Sequence, residues 1–494
     1  MSVSASAEAS GQSGPRAPDL LYSETEHDLR ESLRALLKSR CRPEDLLGRI
    51  GTLAGCGGEP GNPEPYDTGL WHQIAADMGC AGLLVPEKQD GAGASFREAA
   101  TVAEELGQAV APVPYIGSAI VATTALLSAG DDAVLRELAR GDVTAALAIG
   151  FEAVPGAAFP LTARVSGPKP ADGRDGVTRL RGRIRGVADA LTADVLIVPA
   201  DAVPHGLYVV GAADEGVRRT PVLSLDMTRQ LCDIEFHDAP ARPLASGAAA
   251  DRAFQAALTA GAAALASEQL GVAEMCLQMT VAYVKERRQF ARPVGSFQGL
   301  KHRLADVWVA LTQARAAARY AAACLADRDS DAPLAVALAK SYCGDLAVRA
   351  AEECVQMHGG IGFTWEHPAH LYLKRAKADS VAFGTSDAHR ASLARLADLW
   401  VAVTQARAAA RYAAACLATA DPDAKVAVAM AKAYCSEVAV LAAQECVQMH
   451  GGIGFTWEHP AHLYLKRAKA DSIAFGTPDV HRDALASLVN LAAP

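Results

Sequence analysis

The segment Leu304–Arg395 is followed, without a gap, by a second version of itself, Leu396–Ser487. The offset is 92 residues, and about three quarters of the positions are identical. Cys324, Cys343 and Cys354 return as Cys416, Cys435 and Cys446, and the run Val355–Pro368 returns unchanged as Val447–Pro460. Two tandem copies are too few for a solenoid, whose repeats are stable only when several stack. The repeat therefore reads as one duplicated module, and the 494-residue chain is a chain of 402 residues plus a second copy of its last portion. Asp387–Ala418 contains neither Gly nor Pro, so the end of the first copy is predicted to run as one helix into the second.

The module is Ala-rich, and so is the whole chain: 51% of residues are hydrophobic but only 5% aromatic. That composition favours close-packed helices over a β-rich core. A net charge of −9 with 21% charged residues argues against a dedicated nucleic-acid binder and against wholesale disorder. Residues 1–19 are rich in Ser, Ala, Gly and Pro and read as a flexible tail. Residues 20–142 read as an N-terminal helical domain, with Ser23 capping its first helix. Residues 143–247 alternate short Val/Ile/Thr runs with turn residues, as in a small antiparallel β-barrel or sandwich. Residues 248–395 read as a C-terminal helical bundle and 396–494 as the second copy of its helices. Within the bundle, Ala253–Glu286 is predicted as one long helix that tolerates Gly261 and Gly271, and Ser296 as the cap of the next. The eleven cysteines form no CxxC pair and read as reduced thiols of a cytoplasmic protein. The apolar runs read as too short to span a bilayer. Cys354/His358 and His367/His370 have helical spacing, but the ligand set is too thin for zinc, so no metal is expected.

Three stretches carry a resemblance. The first runs from Leu70-Trp-His-Gln through Val85-Pro-Glu87 and Gly91-Ala-Gly93 to Glu104-Glu-Leu-Gly107. The second is Glu286-Arg-Arg-Gln-Phe290, then Pro293-Val-Gly-Ser-Phe-Gln298 and His302-Arg-Leu-Ala-Asp306. The third is Val355-Gln-Met-His-Gly-Gly-Ile-Gly362, continued by Leu371–Asp379 and Phe383-Gly-Thr385. In this order, with a β-domain between helical domains, the chain resembles the FAD-dependent acyl-CoA dehydrogenases. The resemblance implies α,β-desaturation of an acyl-CoA thioester to the trans-2-enoyl-CoA, with an electron-transfer flavoprotein or similar acceptor. It also implies an oligomer, with itself or with another dehydrogenase subunit.

The same resemblance assigns site residues. Arg287, Gln289 and Phe290 would hold the FAD pyrophosphate and adenosine across a subunit interface, and Gln356, Gly359 and Gly360 would likewise contact a neighbouring subunit's FAD. Taken on residues alone, an Arg pair ending a helix also fits a solvated basic terminus, and the glycines an ordinary C-cap. Thr385 matches a further flavin contact, and the second copy repeats the set as Gln448, Gly451, Gly452 and Thr477. The family's α-proton is taken by a glutamate just before the Gly-Thr of the C-terminal loop or on the long helix. Here those positions are Phe383, Phe475 and Gly261. Glu268, seven residues beyond Gly261 on the same helix face, is the remaining candidate base, about 10 Å away. The family's Thr-Glu-Pro and Trp-containing β-domain motifs are replaced by Ala146–Glu152 and Gly186–Thr192. Three functions follow: a dehydrogenase, a base-less partner subunit of a heteromeric dehydrogenase, or a non-catalytic helical scaffold.

Overall fold

The computed structural model describes residues 20–53, 66–166, 178–450 and 459–488. The predicted tail, 1–19, and the glycines Gly451 and Gly452 lie outside the described residues. Helices α1 (Glu24–Arg40), α2 (Pro43–Leu53), α3 (Thr68–His72), α4 (Phe96–Ala109), α5 (Thr123–Ala129) and α6 (Asp132–Ala139) form the first layer. Ser23 caps α1 as predicted, in a capping box with Glu26. Ser95 and Glu98 repeat the device on α4.

Eight strands follow: β1 (Ala145–Leu147), β2 (Ala163–Ser166), β3 (Arg179–Ala188), β4 (Val195–Asp201), β5 (Gly206–Gly211), β6 (Val217–Val222), β7 (Leu231–Pro240) and β8 (Arg242–Ser246). They make one sheet in the order β6-β7-β3-β2-β4-β5-β8, with β1 on β4. The pairing is antiparallel except for β1 with β4 and β2 with β4. The expected purely antiparallel domain is thus mixed, because β4 accepts two earlier strands running in its own direction. One face of the sheet encloses a small core of its own around Leu180, Ile184, Leu196 and Phe236.

The long helix α7 (Ala248–Glu286) starts five residues before its predicted start and carries the main core. Its crossing with α4 explains two glycines. A Cβ on Gly107 would lie 2.1 Å from the Glu268 carbonyl oxygen, and one on Gly271 would lie 1.9 Å from that of Glu104. Gly271 is therefore required by backbone-to-backbone contact, not merely tolerated. A two-stranded hairpin, β9 (Arg288–Gln289) and β10 (Arg292–Pro293), ends α7. Then come α8 (Gln298–Ala326), α9 (Ala332–His358) and α10 (Ala369–Asp379). Phe297, not Ser296, occupies the N-cap of α8.

Helix α11 (Ser386–Ala418) crosses the junction of the two copies without a break, as the missing Gly and Pro predicted. It leads to α12 (Ala424–Met449), α13 (Ala461–Ile473) and α14 (Pro478–Leu488). The first copy completes the bundle on α7, while the second packs on itself around Ala413, Cys416, Ala427 and Ala431. Helix α12 is long and apolar enough to cross a membrane, which departs from the sequence expectation. Its counterpart α9 packs on α7 and α8 in the core, so the same apolar composition serves there as a core helix.

Candidate functional site

The two usual base positions meet in space. Gly261 lies in the buried middle of α7, and a Cβ there would come within 2.7 Å of Phe383 Cζ and 2.9 Å of Val121 Cγ2. The Phe383 ring stands in that spot, edge-on to Phe151 at 5.5 Å between centroids. Its backbone is fixed as well. Phe383 N donates to the Phe151 carbonyl at 2.8 Å, its carbonyl is bonded to His389 Nε2 at 2.9 Å, and its φ is 50°. The pocket beside the ring has a volume of about 20 Å³, no more than a water or two. Of its lining residues only Asp189 titrates; burial pushes its carboxyl up, and it accepts from Gly117 N at 2.9 Å and from the Tyr66 hydroxyl. A larger cleft of about 520 Å³ opens on the other side of Ile149, between Glu152, Phe254, Arg183 and Arg185.

Gly261→Ala tests the packing. The methyl gains roughly 1 kcal/mol of helix propensity but overpacks the Phe383 ring at a cost of roughly 1–3 kcal/mol. The expected net is a loss of about 1 kcal/mol in urea unfolding, recovered when Phe383→Leu is added; a stabilised Gly261→Ala would refute the contact.

Glu268 is not placed to act as a base. Arg229 Nη2 donates to both of its oxygens, at 2.6 and 2.8 Å, and Arg375 Nη1 donates at 2.6 Å. Burial opposes the charge, but the two guanidiniums hold the carboxyl below the ordinary glutamate range. A catalytic base needs the opposite shift and a free lone pair. The ions form one buried cluster. Arg375 also bonds Asp226 at 2.5 Å and Thr228 at 2.6 Å, and Arg229 reaches Asp379 at 3.1 Å. Burial raises Asp379 to about 8. Lys340 bonds the Asp379 and Gly384 carbonyls at 3.1 and 3.2 Å, and burial lowers it to about 8. Sequence reasoning missed Arg229, Arg375 and Asp379. The only signal was Arg375 and Asp379 one turn apart in an otherwise Ala-rich helix.

The predicted flavin residues fall into two groups. Arg287 ends α7, donating its backbone N–H to the Tyr283 carbonyl at 2.9 Å. The hairpin that follows turns at Phe290 and Ala291, both with left-handed φ, 51° and 61°. This leaves the Phe290 ring 86% exposed and Gln289 exposed beside it. The end of α9 lies next to this hairpin, because Tyr283 stacks on His358 at 4.4 Å. There Gln356 is exposed, and the space in front of Gly359 and Gly360 is open. An exposed guanidinium, an exposed aromatic face and bare glycine backbone suit a pyrophosphate and an adenine. Thr385 stands apart with Phe383, and its hydroxyl caps α11 by accepting from Ala388 N at 3.2 Å. Gly261 and Arg287 are 26 residues apart on one helix, about 39 Å. One chain therefore holds the two groups well apart. In the second copy Phe475 and Gln448 are exposed, and Thr477 accepts from Val480 N at 3.5 Å. Among the described residues, no group of three or more His, Cys, Asp or Glu side chains is arranged to hold a metal ion.

The N-terminal helices pack directly on the C-terminal bundle through α4 and α7, and the β-sheet domain lies between them in sequence. The chain belongs to the acyl-CoA dehydrogenase family: the N-terminal domain model matches residues 23–142, and the C-terminal domain model matches twice, at 252–395 and 388–489. It is 33% identical to the acyl-CoA dehydrogenase IpdE2 of Mycolicibacterium smegmatis over 73% of this chain and 95% of that one. The crystal structure of the ChsE4-ChsE5 complex from Mycobacterium tuberculosis matches with a TM-score of 0.65 and 26% identity, covering 76% of this chain and 98% of that one. The Tcur3481-Tcur3483 steroid ACAD matches at 0.64 and 27%, with the same coverage. The family and its structural neighbours are FAD-dependent, so FAD is the cofactor of this chain's family.

Proposed function

We propose that this chain is the base-less subunit of a heteromeric acyl-CoA dehydrogenase. The assembly converts an acyl-CoA thioester to the trans-2-enoyl-CoA, and a partner dehydrogenase subunit supplies the carboxylate that takes the α-proton. Bound FAD would supply the acceptor for the β-hydride. This chain's part is to hold the adenosine-phosphate end of the flavin through Arg287, Gln289 and Phe290, with Gln356, Gly359 and Gly360 at the neighbouring helix end. The observation that carries the reading is the meeting of Gly261 and Phe383. Both positions that could carry the base face the same point, and neither ionises. The likeness to the two-component ChsE4-ChsE5 complex supports a heteromer, and the likeness to a steroid ACAD favours a bulky acyl group.

The test is the colour of the purified protein, alone and co-expressed with a neighbouring dehydrogenase subunit. The chain alone is expected to be colourless, and the complex yellow and bleached by acyl-CoA. A chain that is yellow alone and bleached by acyl-CoA would overturn the proposal in favour of a self-sufficient dehydrogenase. A chain colourless in every pairing would overturn it in favour of a scaffold.

A further inference from the structure

The second copy keeps the side chains with which the first copy grips the rest of the protein, yet among the described residues they lie exposed, with Arg467 bonding Asp471 of its own helix at 2.7 Å. In the first copy, Arg319 pairs with Glu26 at 2.5 Å and the Tyr372 hydroxyl donates to the Gln108 carbonyl at 2.8 Å. Arg375 neutralises Glu268 and Asp226, and Phe383 covers Gly261. All four side chains are buried. Their counterparts are identical: Arg411, Tyr464, Arg467 and Phe475. All four are exposed, Tyr464 at 66% against 4% for Tyr372 and Phe475 at 95% against 4% for Phe383.

The second copy also holds the shape that would let it use them. Lys432 bonds the Asp471 carbonyl at 3.0 Å as Lys340 bonds that of Asp379 at 3.1 Å. Cys435 bonds the Ala406 carbonyl at 3.2 Å as Cys343 bonds that of Ala314 at 3.6 Å. His481 bonds the Phe475 carbonyl as His389 bonds that of Phe383. A preformed face thus carries cations matched to Glu26, Asp226 and Glu268. The complementary surface on this chain is the α4–α7 face with the β6–β7 loop.

We infer that the two copies are alternative occupants of that one face, and that the second copy replaces the first on it within the same chain. The exchange can keep these four contacts, since the four side chains are identical in both copies. The face of the same chain is favoured over that of a second molecule because the two copies are joined covalently through α11, so the exchange is unimolecular and loses no translational freedom.

A double-mutant cycle in the full-length chain tests this, with hydrogen exchange reading which copy is seated. Arg375→Ala leaves Asp226 without its guanidinium and Glu268 with Arg229 alone unless Arg467 arrives. The expected result is a small loss of melting temperature, with slowed exchange over Ala461–Ile473 and faster exchange over Ala369–Asp379. Arg467→Ala alone changes nothing, and the double variant melts lower by on the order of 10 °C. Tyr372→Phe, which removes only the bond to Gln108, shifts protection the same way by less. The inference is overturned if Arg375→Ala melts as low as the double variant and neither single variant alters exchange over Ala461–Ile473. It is also overturned if the protection depends on protein concentration and accompanies a dimer in light scattering, which would place the second copy on another molecule.

Discussion

Glu268→Ala is expected to lower the unfolding free energy by about 3–5 kcal/mol, the usual cost of removing one partner from a buried ion pair. Arg229 and Arg375 lose the carboxylate that lies between them, and both are buried. Asp226 remains paired with Arg375, so the cost falls within this range rather than above it. Glu268→Gln keeps the shape but not the charge and is expected to fall in the lower part of the range. The pH dependence has a definite sign. The Glu268 pKa is depressed in the folded state, so its contribution is present above the ordinary glutamate range and is lost as pH falls through the folded value. Both variants should therefore show a smaller loss of stability on acidification than the wild type. Urea unfolding at pH 7 and pH 4 reads both effects. A Glu268→Gln protein with wild-type stability, and a complex that binds flavin but does not turn over, would restore Glu268 as the base.

The same residue marks how far the sequence could be read. Its position seven residues from Gly261 on one face of α7 follows from helix periodicity, and the structure agrees. Its partners come from the loop between β6 and β7 and from α10, segments whose approach no local pattern records. The meeting of Gly261 with Phe383 is of the same kind, joining residues 122 positions apart. Gly271 shows the limit from the other direction. In one dimension it is a helix defect costing about 1 kcal/mol; in three it is the only residue that fits beneath the Glu104 carbonyl. What was legible was local or repeated: the Ser23 cap, the long helix, the strand texture and the unbroken α11. The repeat was legible in full, but not which copy would close the bundle.

Arg287→Ala in the co-expressed complex is expected to strip most of the flavin, and Arg287→Ala with Phe290→Ala to leave it colourless. The argument is geometric. Phe290 is held out at the tip of a turn whose two residues both adopt left-handed backbone, a conformation that costs non-glycine residues of order 1 kcal/mol or more each. A chain that only needed to end α7 could do so with glycine and a buried ring. Charge-assisted bonds to phosphate contribute roughly 1.5–3 kcal/mol each, so losing a bidentate arginine weakens flavin binding by on the order of 100-fold. Arg287→Lys keeps the charge but not the fork and is expected to retain an intermediate flavin content. The hairpin is exposed and distant from the buried ion cluster, so the melting temperature of the apoprotein should stay within about a degree of wild type in all three variants. The absorbance ratio of flavin to protein in the purified complex reads the result. Unchanged flavin content in Arg287→Ala would show that the pyrophosphate is held elsewhere and would remove the hairpin from the site.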